Sequence, residues 1–257
     1  MPSTRHTLGI LTIACITTAL TLGNATPAQP VPAGATVEPA YTGKGWKILT
    51  SQGIYSLSPD PYEIVFANTT ARTKLKAYFV KPAAQLTAVT GVQVTVTDTI
   101  DLTPIGVCPP RHRIVVRYEY RPLGQPGLSQ ARPCNQLSDG SAWGGHVRMD
   151  SEYWTVPNWF SSDPVKNDAY RKNGVTHELG HVLGLDHPNT DVDADGTVES
   201  YECVKTATGT RPLLCSPNGG YYNSVDAGKY TPPFDEPGLR QLAANWYLRQ
   251  DVTPPTR

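Results

Sequence analysis

Three of the chain's six histidines, His177, His181 and His187, fall within eleven residues, and Glu178 stands beside the first of them. On a helix, positions four apart leave the same face one turn above the other, so His177 and His181 aim two imidazoles at one point. A continued helix would carry His187 roughly 120° off that face. Gly184 offers the stop, because glycine takes the left-handed conformation that ends helices without a Cβ penalty. The chain can then double back and bring His187 to the same point. Three neutral imidazoles satisfy three positions of a tetrahedral Zn2+ and leave the fourth for water, the arrangement of a catalytic rather than a structural zinc. Glu178 is placed to take that water's proton. The alternative is a helix with satisfied surface or core histidines; chance would produce the five fixed positions in about one chain in 10⁵.

A second candidate metal site follows at once. Asp191, Asp193, Asp195 and Glu202 occupy positions 1, 3, 5 and 12 of a twelve-residue stretch, with Gly196 at 6, Thr197 at 7 and Val198 at 8. This is the pattern of an EF-hand calcium loop, in which oxygen ligands suit a hard cation and the last glutamate chelates with both oxygens. No helix can precede the loop, because His187 lies only four residues upstream. A solvated acidic turn is the competing reading. With Ca2+ bound, the loop would brace His187 from its C-terminal side.

The stretch 176–187, Thr-His-Glu-Leu-Gly-His-Val-Leu-Gly-Leu-Asp-His, resembles the zinc signature of the metzincin metalloproteases, and Leu-Gly-Leu-Asp-His-Pro most resembles their matrixin-like branch. The resemblance implies an α+β, metzincin-like (zincin) domain: a mixed twisted sheet with an active-site helix and a C-terminal helix. It further implies zinc on His177, His181 and His187, Glu178 as general base, and a protein or peptide substrate lying extended along a sheet edge. By position, residues 144–148 take the place of that substrate shelf; an ordinary edge strand with His146 on its surface is the other reading. One feature departs from the family. Metzincins carry a near-invariant methionine in a turn below the zinc, whereas Met1 and Met149, the only methionines, both precede the helix. Chain order puts the turn in residues 211–220, with Leu213 or Leu214 in the methionine's place, a near volume-conserving swap that costs under about 1.5 kcal/mol. Tyr221 and Tyr222 are candidate oxyanion donors, with surface tyrosines as the alternative. Cys108 precedes Pro-Pro and does not match the matrixins' cysteine switch.

Composition sets the outer bounds. With 257 residues and 39% hydrophobic content, one sizeable core is within reach. The 22 basic and 22 acidic residues balance, and no basic stripe stands out, which argues against nucleic acid or an anionic membrane as the partner. Arg5 and His6 precede an apolar run from Leu8 to Leu22, followed by Gly23, Ala25 and Ala28. Residues 1–28 therefore read as a secretory signal peptide, its run too short for a membrane span. Cys15 lies inside the run, a poor place for a lipid anchor. Residues 29–45 read as a flexible lead-in, 46–250 as the catalytic domain and 251–257 as a frayed tail. The even set Cys108, Cys134, Cys203 and Cys215 then suggests two disulfides in an exported chain, the local pairings being favoured over the two other connectivities. A cysteine metal site lacks the C-x₂-C spacing it needs.

The elements that must hold the site are read from periodicity. Strands are expected at 46–55, 92–100, 113–120 and 146–150. A helix at 70–86 places Leu75, Tyr78 and Phe79 on one face, with Pro82 breaking or kinking it. A loop at 122–145 would be tied down by Cys134. Asp163 as N-cap and Pro164 at the first position start the histidine helix, which Leu179, Val182 and Leu183 dock onto the sheet. A last helix at 234–250 presents Leu239, Leu242, Ala243 and Trp246. The expected whole is a secreted, monomeric zinc endopeptidase. Its alternative is a catalytically weak or inactive extracellular binding protein stabilised by metal on the same scaffold.

Overall fold

In the computed structural model of the chain, which describes residues 38–217 and 226–250, the strands come first in short pieces and then build one sheet. The expected signal peptide with Cys15, residues 29–37, Tyr221, Tyr222 and the tail lie outside the described residues. Strands β1 (Thr42–Gly43) and β2 (Trp46–Ile48) pair antiparallel. They are followed by β3 (Tyr62–Phe66), β4 (Val94–Ile100), β5 (Arg113–Glu119), β6 (Gln130–Asn135), β7 (Ala142–Asp150) and the two-residue β8 (Leu185–Asp186). The main sheet has the order β4-β3-β5-β7-β6, parallel except for β6, which runs antiparallel to β7 at the edge. The small sheet is β1-β2-β8.

Alternation along β3 and β5 sends Ile64, Phe66, Ile114 and Val116 into the main core, while Val65 and Val115 form a small cluster with Ala67. The helices α1 (Thr69–Thr90), α2 (Glu152–Thr155), α3 (Pro164–Leu183) and α4 (Asp235–Leu248) complete an α+β domain with a five-stranded mixed sheet. Leu75, Phe79 and Leu86 of α1 and Val175, Leu179, Val182 and Leu183 of α3 share the core with the sheet. No helix among the described residues is long and apolar enough to cross a membrane.

Several expectations are corrected. Helix α1 is continuous through Pro82, which is itself buried on the side of Phe79 and Leu86. Burial of that face offsets the roughly 3 kcal/mol that an interior proline costs. The expected loop at 122–145 contains β6, so residues 144–148 belong to an interior strand and not to the sheet edge. The strand was hidden because Gln-Ala-Arg-Pro-Cys-Asn does not alternate, and because Pro133 demotes any run it interrupts; an edge is where such a strand is tolerated. His146, placed on the surface in the alternative reading of that strand, is 1% exposed, with Nε2 2.8 Å from the Val107 carbonyl. The strand expected at 46–55 ends at Ile48, and Thr50–Gln52 turn as a short 3-10 helix into Gly53.

Residues 38–45, read as part of a flexible lead-in, are also held. Asn245 of α4 is fully buried; its side-chain amide donates to the carbonyls of Ala40 (2.8 Å) and Tyr55 (2.9 Å), and its oxygen accepts from Ala40 N–H at 3.2 Å. Hydropathy alone assigned Ala243 and Trp246 to the buried face of α4 and overlooked this polar residue.

Candidate metal centre

The histidine helix is built by its two ends. Asp163 accepts hydrogen bonds from the N–H groups of Val165 (2.9 Å) and Lys166 (3.3 Å), and Pro164 opens the first turn. At the other end Gly184 adopts φ +111°, and a Cβ there would come within 2.6 Å of Ile54. The chain leaves Gly184 as β8, which pairs with β2 in the register Lys47↔Asp186 and Ile48↔Leu185 and is reinforced by the Lys47–Asp186 ion pair at 2.9 Å. That pairing turns His187 back over the helix.

The three side chains meet. Nε2 of His181 lies 3.0 Å from Nε2 of both His177 and His187, and the latter two are 3.2 Å apart. The far nitrogens say which tautomers these are. Nδ1 of His177 faces the Leu213 carbonyl at 3.0 Å and Nδ1 of His181 faces the Leu185 carbonyl at 2.7 Å. A carbonyl only accepts, so both Nδ1 atoms carry protons and both Nε2 lone pairs point at the shared centre. Burial also holds the imidazoles neutral, lowering His177 well below its ordinary pKa, His181 to about 4, and His187 less strongly. Converging lone pairs at this separation repel one another unless a cation lies between them. Tetrahedral bonds of 2.0–2.1 Å would separate the ligand nitrogens by about 3.3 Å, so the donor set fits Zn2+.

Glu178 is 8% exposed and faces the same cleft. Burial pushes its carboxyl up to about 8, and the Ala131 backbone of β6 pulls slightly the other way. The cleft, about 610 Å³, is lined by the three histidines and Glu178, by Gln130 and Ala131 of the edge strand, and by an aromatic group that includes Tyr153 and Trp159.

Leu213 and Leu214 lie beneath α3, both buried. The Leu213 carbonyl orients His177, and the Leu214 side chain packs below Gly180, between the first two histidines. The turn that carries them is held by Asp235, a residue the sequence reading did not single out. Its carboxylate, 1% exposed, accepts from the amides of Leu213 (2.8 Å), Leu214 (3.2 Å) and Thr231 (2.8 Å) and from the Thr231 hydroxyl (2.5 Å). Burial raises its pKa against those hydrogen bonds. An acidic residue in the first turn of a helix was the available signal, but it suggests capping rather than this role.

Carboxylate oxygens of Asp191, Asp193 and Asp195 lie within 4.8 Å of one another. Glu202 does not join them; it accepts from the backbone amides of Val192 (2.5 Å), Asp193 (3.4 Å) and Glu199 (2.9 Å). Thr197 donates its amide to Asp195 at 2.8 Å. The Cys203–Cys215 disulfide joins the end of this loop to the turn bearing Leu213 and Leu214, and Cys108–Cys134 ties β6 to the segment before β5.

Fold and site together define the class: an α+β domain with a five-stranded mixed sheet and a histidine triad that can hold a metal ion. No family model matches the chain. Among curated proteins it is similar to serralysin G of Dickeya chrysanthemi, 31% identical over 109 residues, a match that covers 39% of this chain and 23% of that relative. Among solved structures it overlaps the GM1-bound form of the ECX AB5 holotoxin at 15% identity and a TM-score of 0.40, over 80% of this chain and 87% of that one.

Proposed function

We propose that this chain is a secreted, zinc-dependent endopeptidase of the metzincin type, matrixin-like in its signature. The observation that carries the reading is the convergence of three Nε2 atoms beside a buried glutamate, at the floor of a cleft bordered by a sheet edge. Zn2+ on His177, His181 and His187 would polarise a substrate carbonyl and acidify a water. Glu178 then accepts that water's proton and delivers it to the leaving amine. Its raised pKa suits both halves of this task, since a neighbouring cation favours the carboxylate and brings the value back toward neutrality. The free edge of β6 offers backbone groups to an extended peptide, the role first read onto residues 144–148. Partial similarity to a serralysin supports protease chemistry. The apolar leader and the two disulfides support export. The acidic loop, with three carboxylates already gathered, would take Ca2+ if Glu202 exchanges its backbone donors for the ion.

A second reading, a metal-stabilised extracellular binding protein with weak or no activity, is favoured by the leucines that stand where metzincins have methionine. Turnover of casein by purified protein separates the two. Zinc-loaded wild type is expected to cleave, and Glu178→Ala to keep zinc while losing roughly 10²- to 10⁴-fold in rate. Equal inactivity of both proteins, each with zinc bound, sinks the enzyme reading. The same preparations are expected to be monomeric, and size-exclusion chromatography checks it.

A further inference from the structure

We infer that Asp235 is a positioning residue for the metal centre, acting on His177 through a single peptide unit. The inference rests on the zinc reading of the triad. The peptide group between Leu213 and Leu214 is trans, since the one cis bond of the described residues is Ser216–Pro217. In a trans peptide the C=O and N–H point in opposite directions and are held in one plane. Here the Leu214 N–H donates to Asp235 Oδ1 at 3.2 Å, and the Leu213 C=O accepts from His177 Nδ1–H at 3.0 Å. A buried carboxylate and a metal-facing imidazole are thus bound to opposite ends of the same rigid plate.

Two consequences follow from this line of atoms. The negative charge at the N–H end polarises the peptide, so its carbonyl becomes a stronger acceptor and the imidazole a more basic donor to metal. Position is fixed as well, because four donors, three of them amides from the turn and from Thr231, hold the carboxylate, three at Oδ2 and the Leu214 amide at Oδ1. The usual carboxylate–histidine–metal arrangement therefore appears here with one peptide interposed between its first two members.

The test uses zinc and cobalt(II) affinities, measured by competition with a chelator well below the unfolding temperature, together with the visible spectrum of the cobalt form. Changes to outer-shell partners typically cost 10- to 100-fold in affinity, and Asp235→Asn is expected to weaken zinc by at least about tenfold and to shift the cobalt bands. Thr231→Val removes one donor but keeps the charge; it is expected to lower the melting temperature with the cobalt spectrum intact. Affinity and spectrum equal to wild type in Asp235→Asn overturn the proposal, whatever happens to its melting temperature. If that variant does not fold, wild-type NMR decides. The Leu214 amide proton and the His177 Nδ1 proton are expected to be protected from exchange together, and an unprotected Leu214 amide overturns the proposal. Wild type that binds neither metal would refute the zinc reading itself, which is a different result.

Discussion

Leu214 fills the space directly under Gly180: a Cβ placed on Gly180 would sit 3.1 Å from Leu214 Cδ2 and 3.2 Å from the Tyr230 ring. The floor of the site is therefore closed by a branched side chain in contact with backbone, between two histidines of one helix. Truncating it with Leu214→Ala is expected to cost about 2–5 kcal/mol, because the fully packed surroundings leave a cavity. Leu214→Met is expected to stay within about 1.5 kcal/mol of wild type. Urea unfolding of the zinc-loaded proteins measures both; equal stability of the alanine and methionine variants would show that the floor does not bear on packing.

Tyr230 is fully buried, and its hydroxyl has no hydrogen-bond partner among the described residues. Burial drives its pKa well above the ordinary phenol value, as expected for a group that must stay neutral. Removing the hydroxyl leaves no partner stranded, so Tyr230→Phe is expected to be neutral or to stabilise by about 1 kcal/mol. A loss of more than that in thermal unfolding would mean that the hydroxyl is satisfied in solution.

On the zinc reading, metal binding is linked to folding. At a free zinc concentration a thousandfold above the dissociation constant the gain is about 4 kcal/mol, so EDTA is expected to lower the melting temperature by several degrees and stoichiometric zinc to restore it. In His181→Ala the EDTA-induced shift should shrink to a small remainder. A full shift in that variant would place the stabilising metal elsewhere, the acidic loop being the first place to look.

Burial depresses the pKa of His146 below its ordinary value of 6.5, while the Val107 carbonyl works in the opposite direction. The unfolded chain therefore binds a proton at this residue more readily than the folded one. Stability is fully present above pH 6.5 and falls as pH drops below it. His146→Gln should flatten that acid limb relative to wild type when both are titrated by urea unfolding with zinc held saturating. Parallel curves would assign the limb to other groups.

The Cys108–Cys134 bond closes a separation of 26 residues that runs through β5 and into β6. Chain entropy alone assigns such a loop about 3–4 kcal/mol. The double variant Cys108→Ser, Cys134→Ser is expected to lose that much in unfolding free energy and, on the endopeptidase reading, to lose peptide affinity as its edge strand loosens. Unchanged KM with lowered stability would detach β6 from substrate binding.

The parts of this molecule that could be read from sequence are those fixed by local rules. Asp163, Pro164 and Gly184 bound α3 as capping chemistry requires, and the spacing of His177, His181 and His187 already implied one meeting point. Strand β4 was expected from its alternation and β5 from its β-branched and aromatic residues. The core strand β3 was overlooked, because Ile64-Val65-Phe66 is buried on both faces and shows no period. Edge strand β6 was missed for the opposite reason, since its pairing is imposed by β7 and by Cys134 rather than by its own side chains. Asp235 and Asn245 were out of reach because each does its work across long sequence separations, on Leu213 and on Ala40.

Asn245 also says where this domain chemically begins. It fixes residue 40 against residue 55 from α4, so a cut placed at Trp46 would leave one amide hydrogen of Asn245 unanswered and its oxygen with Gln241 alone. Trimming that stops before residue 38 leaves the seam closed. The described fold is accordingly closed on its N-terminal side by a hydrogen-bonded stitch around Ala40, two residues ahead of β1.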